Sequence, residues 1–100
     1  MEVNIQFIKM QTSEALESFT IKKLNKLAKR YDWIIKANVS YKLENDPRNK
    51  GRICEIELSV PGPRVFASSV AENFEVATDE TIQDLEKQLE KRKATMRPHL

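Results

Sequence analysis

The sequence predicts an α+β fold of order β-α-β-β-β-α: a four-stranded, mostly antiparallel sheet with two helices packed on one face. Three observations predict it. Apolar residues recur at every second position across residues 3–8, 33–43, 54–60 and 65–69, the period of half-buried strands. Two longer stretches, about 13–30 and 74–96, repeat their apolar residues at spacings of three and four, the period of a helix with one packed side. Turn-forming residues gather at 45–51 and 61–63, where the strand pattern breaks.

In the first strand Val3, Ile5 and Phe7 alternate with Asn4, Gln6 and Ile8. Thr12 or Ser13 can then cap a helix whose first turn holds Glu14, where negative charge suits the helix dipole. Leu16, Leu24, Leu27, Ala28 and Tyr31 form the apolar side of that helix, with Phe19 nearer its edge. The second strand is expected to place Trp33, Ile35, Ala37, Val39, Tyr41 and Leu43 on one face and Lys36, Asn38, Ser40 and Lys42 on the other. Residues 45–51 read as an exposed, charged hairpin loop. Cys54, Ile56, Leu58 and Val60 resume the alternation until 61–63 closes the strand. A fourth strand follows from Val65 to about Ser69, in which Phe66 has the wrong parity for the core unless a bulge returns it there. The last helix starts at Asn73 or Phe74 and packs through Phe74, Ala77, Thr81, Ile82, Leu85 and Leu89. A ferredoxin-like fold would need a further strand, and residues 97–100 are too short to supply it.

At 100 residues the chain is expected to form a single domain over 1–100, with a core from about 3 to 96 and a short tail at 97–100. With 40% apolar and 32% charged residues it is too hydrophobic for a disordered tail, and its apolar runs are too short for a membrane span. Residues 1–4 lack the basic region and apolar block of a signal peptide. Cys54 is the only cysteine, so no internal disulfide can form and a reducing cytoplasm is the expected compartment.

Catalysis needs a nucleophile, an acid-base group or a metal in a defined constellation. His99 is the only histidine and sits beside the terminus, where a surface residue is expected. Cys54 is in phase with Ile56 and Leu58, which predicts a core thiol. Glu55 and Glu57 share a strand face, the ordinary consequence of a two-residue spacing on a solvated face. Gly51 and Gly62 are too isolated to form a phosphate-cradling loop. The expectation is therefore a protein that is not an enzyme and has no metal, cofactor or small-molecule substrate, and that does not engage membranes.

Charge is the informative pattern. A net charge of +2 conceals two clusters: Lys22, Lys23, Lys26, Lys29 and Arg30 with no intervening acid, and Lys87, Lys91, Arg92, Lys93 and Arg97 around the single Glu90. Lys22, Lys26 and Lys29 fall opposite the apolar side of the first helix. Two basic helices on one layer would form a groove or ridge suited to the phosphates of structured RNA. Arg92 is anomalous because it falls almost in line with Leu85 and Leu89. Either the helix projects past the sheet and frees Arg92 for a ligand, or its stem covers the edge of the core. Trp33, Tyr41 and Phe7 read as core or core-edge residues rather than as base-stacking aromatics.

These residues resemble a known family. Val3-Asn4-Ile5 leads into Thr12-Ser13-Glu14-Ala15-Leu16 and the basic helix; Ala67-Ser68 precedes Asn73-Phe74-Glu75-Val76-Ala77-Thr78-Asp79, Leu85-Glu86-Lys87-Gln88-Leu89 and the basic end. Over residues 3 to 96 the chain resembles short ribosome hibernation promoting factors of the ribosome-associated inhibitor, or sigma-54 modulation, family. Glu75 and Thr78 stand where the second-helix motif of that family commonly has a tyrosine and an isoleucine, and the 46–52 hairpin is more charged than in its short members. The resemblance implies a fold similar to a double-stranded RNA-binding domain with an added first strand. It also implies a partner, the small ribosomal subunit and its ribosomal RNA, bound where messenger and transfer RNAs would lie, so that translation is inhibited in starvation or stationary phase. Carried onto this chain, the RNA-binding positions are Lys22, Lys23, Lys26, Lys29 and Arg30 with Lys87, Lys91, Arg92 and Lys93. Two other functions are compatible with the residues: a modulator that binds a transcription factor or similar protein through its hairpins and acidic surface, and a general double-stranded RNA-binding module.

Overall fold

The computed structural model describes residues 1–96, so the expected tail at 97–100, with Arg97 and His99, lies outside the described residues. The elements are β1 (Glu2–Ile8), α1 (Glu14–Arg30), β2 (Lys36–Leu43), β3 (Arg52–Ser59), β4 (Val65–Ala71) and α2 (Phe74–Thr95). The sheet order is β1-β2-β3-β4. Because α1 is a crossover between β1 and β2, that pair is parallel, with Val3, Ile5 and Phe7 opposite Ala37, Val39 and Tyr41. Short connections make β2–β3 and β3–β4 antiparallel. The sheet is thus mixed, with both helices against one face.

Local chemistry sets the helix starts. Ser13 accepts from the Leu16 amide at 3.1 Å, and Asn73 accepts from the Val76 amide at 2.8 Å, each satisfying one of the free amides of a first turn. From there the helical period delivers Leu16, Leu24 and Leu27 of α1, and Ala77, Ile82, Leu85 and Leu89 of α2, to the core. The strands contribute Ala37, Val39, Tyr41, Cys54, Ile56, Leu58, Val65 and Ala67.

The core also contains hydroxyls. Tyr41 Oη lies 2.6 Å from Thr20 Oγ1 and 2.7 Å from Thr78 Oγ1. The two threonines reach the helix carbonyls of Leu16 and Phe74, both at 2.7 Å. Each threonine gives its one proton to its helix carbonyl, so the Tyr41 hydroxyl donates to one threonine at a time. Thr81 is anchored separately, donating to the carbonyls of Ala77 at 2.7 Å and Cys54 at 3.3 Å. Every fully buried side-chain polar atom among the described residues has a partner. Phe7 stacks on Tyr41 and Phe74 meets its edge, with ring centroids 5.6 and 5.4 Å away, closing that end of the core. Burial raises the Tyr41 phenol and the Cys54 thiol above their ordinary pKa values, so both stay protonated at neutral pH.

Two sequence expectations need correction. The second strand starts at Lys36 instead of Trp33, and Ile34, not Ile35, is buried; Ile35 is 60% exposed. Residues 31–35 form a turn in which the Ile34 amide bonds back to Tyr31, and the Ile35 amide then joins Ser59, so strand parity begins only after it. Leu43, expected on the inner face, is 54% exposed at the hairpin end. Phe66 is 53% exposed, and β3–β4 pairing runs through Glu57↔Phe66 without a bulge, which leaves it on the open sheet face.

Candidate nucleic-acid interface

The two helices lie side by side and parallel: Lys23 meets Asp79 at 3.2 Å and Arg30 meets Glu86 at 2.9 Å, both pairs being offset by the same number of residues. Parallel alignment follows from the topology, since each helix follows a strand running the same way. Both basic C-terminal ends therefore gather at the β3–β4 turn end of the molecule, and both acid-rich first turns gather at the other.

Three lysines of α1, Lys22, Lys26 and Lys29, are exposed and outside every ion pair among the described residues. Their spacing confines them to an arc of about 60° on the outward side of the helix. Lys87 and Lys91 of α2 are likewise exposed and unpaired there. These five charges project from the helical layer. On the opposite face of the sheet the charges neutralise one another, as Lys36 pairs with Glu2, Lys42 with Glu55 and Arg64 with Glu57. The outward side of α1 is where unpaired lysines lie together with no acid among them.

The remaining predicted positions are engaged within the protein. A groove of about 420 Å³ between the helices has Leu27 and Ile82 at its base, with Lys23, Arg30 and, at the rim towards the outward side, Lys26 on one wall and Asp79 and Glu86 on the other. Two of its three cations are thus paired with acids from α2. These pairs are largely exposed, and such contacts contribute at most about 1 kcal/mol, so an incoming phosphate can displace the carboxylates. Tyr31, at the end of α1, donates to Glu90 at 2.7 Å; that bond and its burial raise its phenol above the ordinary value. Arg30 lies 5.4 Å and Lys93 6.0 Å from its ring centre, so the ring supports a cation from each helix.

Arg92 is half-buried, and its Nη1 donates to the carbonyls of Pro61 at 3.0 Å and Pro63 at 2.7 Å. Of the two arrangements the sequence allowed, this is the one in which the side chain covers the core edge. The sequence missed Asp79, Glu86, Glu90 and Tyr31 as determinants of the basic layer. The only available signal was their position on the flank of each helix facing the other, which is readable once the helices are aligned. Among the described residues no group of three or more His, Cys, Asp or Glu is placed to hold a metal ion, and no helix is long and apolar enough to cross a membrane.

Fold and surface define a small α+β domain with a basic helical layer suited to a polyanion. The chain belongs to the Sigma 54 modulation protein / S30EA ribosomal protein family, whose profile matches residues 3–97. Among solved structures it is similar to a ribosomal subunit interface protein from Coxiella burnetii, with 24% identity over 94% of this chain and 99% of that one, and a TM-score of 0.84. It is also similar to the N-terminal domain of Protein Y from Thermus thermophilus, with 23% identity over 91% of this chain and 98% of that one, and a TM-score of 0.77. At these identities the two structures establish a shared fold. No curated protein matched the chain.

Proposed function

We propose that the protein is a non-enzymatic ribosome-binding hibernation factor. It acts in the cytoplasm on the small ribosomal subunit, occupies the region of messenger and transfer RNA, and inhibits translation in starvation or stationary phase. The observation that carries this reading is family membership across nearly the whole chain. The helical layer supports the mode of binding: Lys22, Lys26, Lys29, Lys87 and Lys91 offer separated point charges to RNA phosphates, with Lys23, Arg30 and Lys93 at the margins of the same layer. Lysines arranged in this way recognise backbone and shape rather than sequence. Inhibition then needs only occupancy, because a protein in the path of messenger and transfer RNA excludes them.

Co-sedimentation of the full chain with purified bacterial small subunits at moderate salt tests the reading. Binding to subunits that withstands excess generic RNA duplex supports it. Equal affinity for the duplex would favour a general double-stranded RNA-binding module, and no binding to either would favour a modulator of another protein.

A further inference from the structure

The last side chain that α2 buries is Leu89, yet the helix continues to Thr95 and carries Lys91 and Lys93 on this extension. Ala94 and Thr95 are exposed, and among the described residues Leu89 is the last of α2 in the buried core. The Met96 amide and Thr95 Oγ1 close the last turn on the Arg92 carbonyl at 3.0 and 2.8 Å. These bonds lie within the helix end and do not fix it to the rest of the protein, and a terminal turn by itself is only marginally stable. Two tethers hold this one. Towards α1, Glu90 accepts the Tyr31 hydroxyl and Lys93 lies over the same ring. Towards the sheet, Arg92 bonds to both carbonyls that flank Gly62 in the β3–β4 turn.

That turn is built to receive a donor. Pro61 and Pro63 have no amide hydrogen, so they present only acceptors. Gly62 has a φ of +89°, and a Cβ there would stand 3.2 Å from Arg92 Nη1, so the absence of a side chain lets the guanidinium lie across the turn. Hydrogen bonds from a charged donor are stronger than neutral ones, and Arg92 would have to give up two of them to turn that nitrogen towards a phosphate.

We propose that Arg92 is a positioning residue and not a phosphate ligand: it latches the basic end of α2 to the 61–63 turn, so that Lys91 and Lys93 meet an RNA backbone in a fixed arrangement. The proposal rests on the RNA-binding reading above, so its test includes a measurement on the free protein.

Arg92→Leu keeps apolar bulk and a similar helix propensity while removing the donors. In the free variant, amide hydrogen exchange at residues 93–96 is expected to accelerate roughly tenfold, with exchange at Leu85 and Leu89 unchanged. Affinity for purified small subunits is expected to fall about three- to tenfold, while the slope of log affinity against log salt stays at the wild-type value. A slope shallower by roughly 0.7 to 0.9 would reveal a direct phosphate contact and overturn the proposal. Unchanged exchange, or unchanged subunit affinity, would overturn it as well. Failure of the wild-type protein to bind subunits would refute the ribosome reading and the RNA half of this proposal, while the exchange measurement would still decide the latch.

Discussion

Neutralising Lys26 and Lys29 together is the most direct test of the outward face of α1. Both side chains are exposed and outside every ion pair among the described residues, so Lys26→Gln/Lys29→Gln removes charge without uncovering a partner. With Lys22, Lys26, Lys29, Lys87, Lys91 and Lys93 each meeting one phosphate, counterion release gives a log–log salt slope of about −5.4, an affinity loss of about 2,000-fold between 50 and 200 mM salt. Without two of those contacts the slope becomes about −3.6, and the same change of salt costs only about 150-fold. The variant should therefore bind more weakly at low salt and lose affinity more slowly as salt rises. Small-subunit binding measured across that salt range reads both quantities. Lys29 also lies in the last turn of α1, where a cation suits the dipole, so the melting temperature should drop by no more than about 5 °C. A folded double variant with the wild-type slope would remove the α1 stripe from the interface.

Glu86→Gln should release Arg30 from its 2.9 Å ion pair and raise subunit affinity about two- to threefold, the range expected of an exposed pair; weaker binding in the same titration would show that Glu86 supports the interface instead. Leu27, 3% exposed at the base of the interhelical groove, should cost about 2 to 5 kcal/mol when replaced by alanine, measured by urea unfolding, and a loss well below 1 kcal/mol would contradict its place in the core. Stability should also fall at alkaline pH. Cys54, Tyr31 and Tyr41 have folded pKa values above their ordinary ones, so the unfolded chain loses these protons first. Their contribution is intact below about pH 9 and declines as pH rises from there, by at most about 1.4 kcal/mol per pH unit for each group. Stability that is flat from pH 8 to 11 would mean that these groups are not protected by the fold.

Much of the fold was legible because strand and helix periods report burial directly. Cys54, Ile56 and Leu58 occupy the inner face that their alternation assigned, Ser13 is the one of the two offered residues that caps α1, and α2 starts at Phe74, within the expected pair. The errors fall where a period is interrupted by a local bond. Trp33 and Ile35 continue the parity of β2 on paper, but the return of the Ile34 amide to Tyr31 delays the strand and turns Ile35 outward. Thr20 and Thr78 were invisible for another reason: a threonine in a helical stripe carries no sign that its hydroxyl will meet a tyrosine from a strand. Thr78 gives the buried Tyr41 hydroxyl a second neighbour beside Thr20, which makes it a residue of the core and not of the outward helical face.

The candidate interface was legible as composition but not as geometry. α1 shows five basic residues without an acid between them, and nothing in that helix discloses that Lys23 and Arg30 will face Asp79 and Glu86. The pairing depends on the parallel register of two helices, which is fixed by strand connections and core packing between them. Its consequence is a division of labour along one helix: cations on the flank of α1 hold α2, and those on the outward side stay unpaired. A groove lined by partly neutralised pairs attracts a polyanion weakly at long range, whereas an outward row of unpaired lysines keeps its field in solvent. On the proposed function, RNA would meet a ridge along α1 with the tethered end of α2 beside it, and charge on that ridge should govern the salt dependence of binding more than charge inside the groove.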